Sequence, residues 1–99
     1  MLSLDVDFNK ANRQTRDLAQ CADDMQQQRS KLDSIIAEIQ KSWQGDTAKS
    51  YTSKLEAFSK VLETNIKQCR EVATAMSSKI DKIKAAEEEA QRAAESLAK

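Results

Sequence analysis

Along the first half of the chain, apolar side chains recur at alternating steps of four and three: Leu4, Phe8, Ala11, Thr15, Leu18, Ala22, Met25, Arg29, Leu32, Ile36, Ile39 and Trp43. Ten of these twelve positions are apolar, with Thr15 and Arg29 departing. A mean step of 3.5 residues places them on one stripe of an α-helix and suits helices packed with a left-handed supercoil. Cys21 and Ile35 widen the stripe, whereas Asp23, Asp24, Gln26, Gln27 and Gln28 lie on other faces. The pattern predicts a first helix over about residues 7–42.

The same spacing returns further on: Ala48, Tyr51, Leu55, Phe58, Leu62, Asn65, Cys69, Val72, Met76, Lys79, Ile83, Ala86, Ala90, Ala93 and Leu97. It predicts a second helix from about residue 47 to 85 or beyond. Asn65 and Lys79 interrupt this seam, and Ile66 and Ile80 stand beside them. Two accounts fit. A polar seam residue fixes register at some cost in stability. Alternatively the stripe drifts by one residue, as a 3.6-residue helix does against a 3.5-residue repeat.

Between the two seams lies Ser42-Trp43-Gln44-Gly45-Asp46, which holds the only Trp and the only Gly of a chain without Pro. Glycine accepts φ > 0 just past a helix C-terminus. Asp46 is placed to cap the N-terminus of the next helix. The expected fold is therefore all-α: a helix-turn-helix hairpin of two long antiparallel helices, turning at 43–46, in a single domain over 1–99. Trp43 is the expected apolar plug of the turn.

The ends are less patterned. Leu2, Leu4 and Val6 alternate with polar residues over a stretch too short for a self-sufficient strand, so an extended lead-in capped by Asp5 or Asp7 is expected. Reflection about Gly45 sets Asp7 opposite Ile83, and the tail 84–99 overhangs. It consists of strong helix formers with a seam of mostly Ala, which predicts a helix where something holds it and fraying where nothing does.

Ninety-nine residues make one domain at most, and two long helices cannot cover each other's apolar stripes. A second copy or another helical partner is the expected remedy. Sixteen basic and sixteen acidic residues cancel, so no global charge pulls the chain towards nucleic acid or an anionic membrane. No apolar run approaches the length of a transmembrane helix. The N-terminus lacks the basic and apolar regions of a cleaved signal peptide.

Candidate chemistry is sparse. With no His, the commonest general base and metal ligand is missing. Glu87, Glu88 and Glu89 suit a solvated face, and Lys82 and Lys84 are too few for a nucleic-acid patch. The chain is not expected to be an enzyme or to bind a cofactor or metal. Cys21 and Cys69 each lie 24 residues from Gly45, so an antiparallel hairpin sets them at one height. They are either a disulfide, which needs Cα atoms within ~7 Å, or two thiols acting as small hydrophobes.

Trp43-Gln44-Gly45 at mid-chain, followed by Asp46-Thr47-Ala48-Lys49-Ser50-Tyr51, resembles the WXG family of small early-secreted-antigen-like substrates of bacterial type VII (ESX-type) secretion. The resemblance spans the chain in length and architecture and is specific over about ten residues. It implies a homodimer, or a heterodimer with another WXG-like helical protein, forming an antiparallel four-helix bundle. It also implies export to the cell surface or medium without a cleaved signal peptide. Such proteins often carry Tyr-x-x-x-Asp or Tyr-x-x-x-Glu after helix 2, read by the secretion ATPase; here the last aromatic is Phe58, and Tyr51 is followed four residues later by Leu55. A partner would then supply that signal, or the chain escorts a larger toxin-like substrate. The expected recognition motif is Trp43, Gly45 and Asp46. The expected packing and partner interface is Leu18, Met25, Leu32, Ile36, Ile39, Tyr51, Leu55, Phe58, Leu62, Val72 and Met76. The alternative is a coiled-coil adaptor or scaffold that stays in the cytoplasm and binds a partner helix.

Overall fold

The computed structural model describes residues 7–98 and contains two helices, α1 (Phe8–Ser42) and α2 (Asp46–Ala98), folded back on each other as a hairpin. The lead-in of Leu2, Leu4, Asp5 and Val6 lies outside the described residues. The molecule is a rod of 82 × 15 × 14 Å with a radius of gyration of 22.8 Å. A compact chain of this length has a radius near 13 Å. Only two helices share the cross-section, and no large side chain among the described residues is fully buried.

Each helix end has a local cause. At the start of α1 the Asp7 carboxylate accepts the Lys10 backbone N–H at 3.0 Å, satisfying one of the donors that a helix N-terminus leaves unpaired. Trp43 ends α1 in an extended conformation while its N–H still donates to the Ile39 carbonyl at 2.8 Å. Two residues later, Gly45 has φ +98°, a value that disfavours any residue with a Cβ. The Gly45 carbonyl accepts the Lys49 N–H at 3.3 Å, so Gly45 itself is the cap of α2. Asp46, expected as the cap, is instead the first residue of the helix, where its charge complements the helix dipole.

On α1 the buried and half-buried positions are Phe8, Ala11, Thr15, Leu18, Ala22, Met25, Arg29, Leu32, Ile36 and Ile39, flanked by Ala19 and Gln26. They reproduce the 4,3 seam; Trp43 at its end is 51% exposed. On α2 half of the expected seam is displaced. Thr52, Ser59, Ile66, Ala73 and Ile80 are buried. Tyr51, Phe58, Asn65, Val72 and Lys79, one residue earlier in each case, are exposed, as are Ala86, Ala90, Ala93 and Leu97. The interruptions at Asn65 and Lys79 thus mark a drift of the stripe: both stand outside, and Ile66 and Ile80 fill the seam. The cause is that α2 carries an apolar band wider than one neighbouring helix covers. α1 covers the side that carries Thr52, Ser59 and Ala73 in place of Tyr51, Phe58 and Val72, and Ile66 and Ile80 in place of Asn65 and Lys79.

The buried hydroxyls of Thr15 and Thr52 bond back to the carbonyls of Ala11 and Ala48 at 2.9 and 3.0 Å, so neither leaves an unpaired polar group in the seam. Asp23 pairs with Arg70 and Arg29 with Glu63, which brings Phe8 level with about Lys84. Past Glu87, every described residue to Ala98 is exposed, yet α2 continues through them.

Candidate functional site

The buried line of each helix faces the other helix, and the residues on its two sides differ in kind. Three positions after Thr15, Ala22, Arg29 and Ile36 on α1 come Leu18, Met25, Leu32 and Ile39, and three after Thr52, Ser59, Ile66 and Ala73 on α2 come Leu55, Leu62, Cys69 and Met76, all half-buried. Four positions after come Gln26, Asp33 and Gln40 on α1 and Glu56, Glu63 and Arg70 on α2. Antiparallel helices of one hand bring like flanks to the same side of the pair. The hairpin therefore has one apolar edge and one polar edge.

The polar edge is tied across. Gln40 donates to Glu56 at 3.0 Å, Arg29 to Glu63 at 3.0 Å, Ser59 to Asp33 at 2.7 Å and Arg70 to Asp23 at 3.1 Å. Beside Arg29, Glu63 and Arg70 runs an open groove of about 680 Å³. Among the described residues no group of three or more His, Cys, Asp or Glu is arranged to hold a metal ion.

The apolar edge is open. Beyond its half-buried line, Tyr51 and Phe58 are each 55% exposed and Val72 is 50% exposed. Ile35 on α1 and Val61 on α2 are similarly exposed. Of the expected interface residues, Ile36 alone is buried between the two helices. The other ten lie along this edge, either half-buried or exposed. Such a strip has ample apolar surface for a partner helix and too little cover from its own chain.

At the turn, Trp43 stands edge-on to Tyr51, with ring centroids 6.0 Å apart and planes at 83°. That is the favoured T-shaped arrangement of aromatic rings. Trp43 also lines a shallow groove with Gln40, Gly45, Ala48 and Thr52. The aromatic pair continues into Phe58, seven residues and two helical turns beyond Tyr51, so the apolar edge begins at the turn itself.

Cys21 and Cys69 are both free thiols, Cys21 exposed and Cys69 half-buried. Equal height along the hairpin does not join them, because Cys21 lies on the outer margin of the α1 stripe while Ala22 takes the buried position. Ser59, Asp33 and Glu63 carry no motif or apolar signal of their own in the sequence. The available signal was Arg29, a charged residue on an otherwise apolar stripe, which requires acceptors from the facing helix.

Residues 3–99 match the model of a family described as WXG100, proteins of 100 residues with WXG. Neither the curated proteins nor the solved structures gave a match.

Proposed function

This chain belongs to the WXG100 family, and from that premise we propose that it is a small helical substrate or escort of a bacterial type VII (ESX-type) secretion system, acting by protein–protein binding. The family match over nearly the whole chain carries the reading. The open apolar edge supports its binding half: Met25, Leu32, Leu55, Phe58, Leu62, Val72 and Met76 form the surface on which a second hairpin seats, giving an antiparallel four-helix bundle. The second hairpin is another copy or a different WXG-like chain.

Trp43 and Tyr51 at the turn are half of a composite recognition surface in this reading. In the same reading the other half, a partner's aromatic tail signal for the secretion ATPase, comes from the second protein of the pair or from an escorted toxin-like substrate. None of the helices among the described residues is long and apolar enough to cross a membrane, consistent with transport as cargo rather than residence in the bilayer.

The test is to follow the protein in cell and culture fractions with and without the type VII ATPase. ATPase-dependent appearance outside the cell is expected. Retention inside the cell in both strains, with a partner helix recovered there, would replace export with the adaptor reading.

A further inference from the structure

Five polar residues lie buried or half-buried on the lines along which the helices face each other: Glu87, whose buried Oε1 has no hydrogen-bond partner, and four that behave in two ways. The hydroxyls of Thr15 and Thr52 bond to carbonyls of their own helices, so they are indifferent to how the helices face each other. Arg29 and Ser59 are bonded across. Arg29 Nε donates to Ser59 Oγ at 3.1 Å, and Ser59 Oγ donates to Asp33 Oδ1 at 2.7 Å. Arg29 Nη2 donates to Glu63 Oε2 at 3.0 Å, and Asp33 lies 4.0 Å from Arg29 Nε. Two residues from each helix thus form one cluster around Ser59, a residue only 5% exposed.

This cluster sits where α2 has a choice. A rotation of roughly 50°, half the angle between successive residues of a helix, would bring the line of Tyr51, Phe58 and Val72 towards α1. It would turn Thr52, Ser59 and Ala73 away. Burial favours that exchange at three levels, since two aromatics and a valine would replace a threonine, a serine and an alanine. Ile66 and Ile80 against Asn65 and Lys79 favour the observed phase at two others. Apolar area therefore does not single out one phase. Hydrogen bonding does, because the rotated phase presents Phe58 to the Arg29 guanidinium and takes away the Ser59 hydroxyl that accepts its Nε–H.

We propose that the Arg29–Ser59–Asp33–Glu63 cluster sets the rotational phase of α2 and so holds Tyr51, Phe58 and Val72 outward on the apolar edge. The phase stands on the geometry alone; its use in presenting a surface to a partner rests on the function proposed above. The cluster positions the binding edge without belonging to it, since Arg29 and Ser59 lie between the helices and Asp33 and Glu63 on the opposite, polar edge.

The experiment uses the full chain with Cys21→Ser and Cys69→Ala, carrying a single reporter thiol at Asn65→Cys or Ala73→Cys, labelled with a maleimide. With the cluster intact, the thiol at position 73 should react at least tenfold more slowly than the one at 65. In Arg29→Leu/Ser59→Ala the order should invert while helical content is kept. Asp33→Ala/Glu63→Ala removes the acceptors at two sites that are more than half exposed, and should move both rates in the same directions. If the first variant loses its helices, the second decides alone. The proposal fails if position 73 stays slower to the same degree in every folded cluster variant. It fails equally if both positions speed up by one factor, which is loosening and not rotation. Sedimentation of the same samples separates the two readings. A monomer with an intact cluster and a slow thiol at 73 supports the phase and removes self-pairing, because position 73 is covered by α1 whatever lies on the apolar edge.

Discussion

Phe58→Ala is the substitution that most directly tests whether the apolar edge binds a partner. A phenylalanine side chain offers about 200 Å² to water, and with 55% of the residue exposed in the hairpin about 110 Å² of it is still open. Covering that area at about 25 cal/mol per Å² is worth about 2–3 kcal/mol per copy, or a factor of about 100 in Kd. In a symmetric pair of identical chains both copies contribute, and the loss rises towards 10⁴. The part of the ring already covered within the hairpin is smaller, about 90 Å², so the isolated chain loses only about 2 kcal/mol of folding stability. Sedimentation equilibrium across a concentration series reads the first quantity, and a denaturant titration reads the second. Lys67→Ala, on the polar side of the molecule, is the control and should leave association unchanged. An unaltered Kd in Phe58→Ala, with the expected fall in folding stability, would refute the assignment of this edge to binding.

Other expectations follow from the turn and the tail. Trp43→Ala should cost about 2–3 kcal/mol in a thermal or denaturant melt, since the ring is only half covered and loses one edge-on aromatic contact; export should fall far more than folding does, and a proportional fall would remove the recognition role. Gly45→Ala meets no atom within 4 Å of the added Cβ, so its cost of about 1–2 kcal/mol should come from φ +98° alone and be as large in the isolated hairpin as in any complex. Ending the chain after Glu87 removes only exposed residues among those described, so the melting temperature should move by less than 2 °C while any partner that grips the tail is lost.

The hairpin was legible because its signals are local. One glycine in a chain without proline, an aspartate ahead of the first helix and a 4,3 stripe each act within a turn of helix: Gly45 makes the turn, Asp7 and not Asp5 is the cap, and the stripe holds from Phe8 to Ile39, with Trp43 at its end half exposed. The phase of α2 was not legible in the same way. Tyr51 and Thr52, or Phe58 and Ser59, differ by one residue, and an apolar stripe read by hydrophobicity prefers the aromatic member of each pair. Which one faces α1 depends on what α1 offers at that height, and at Ser59 it offers a guanidinium. Asp46 was misassigned for a related reason. Its side chain suits a cap, but Gly45 already provides the non-helical bend and the carbonyl that receives the first helical bond. The relation of Trp43 to Tyr51 lies between these cases: eight residues separate them, and only the shape of the turn brings the rings together.

The ladder of bonds between α1 and α2 also orders the events of folding. Gln40 and Glu56 are 16 residues apart in sequence, Arg29 and Ser59 are 30 apart, and Asp23 and Arg70 are 47 apart. The entropy lost on closing a loop grows with its length, so the rung nearest Gly45 closes most readily. Once it has closed, each later rung adds only a short further loop, and the two helices zip outward from the turn. Substitutions at the turn should then slow folding, with φ-values near one, because the bend must exist before the first rung can form. Substitutions at Thr15 or Ile80, far along the rod, should leave the folding rate almost untouched and appear as faster unfolding. The hairpin is in this sense polarised in time, opening first at the end farthest from its only glycine.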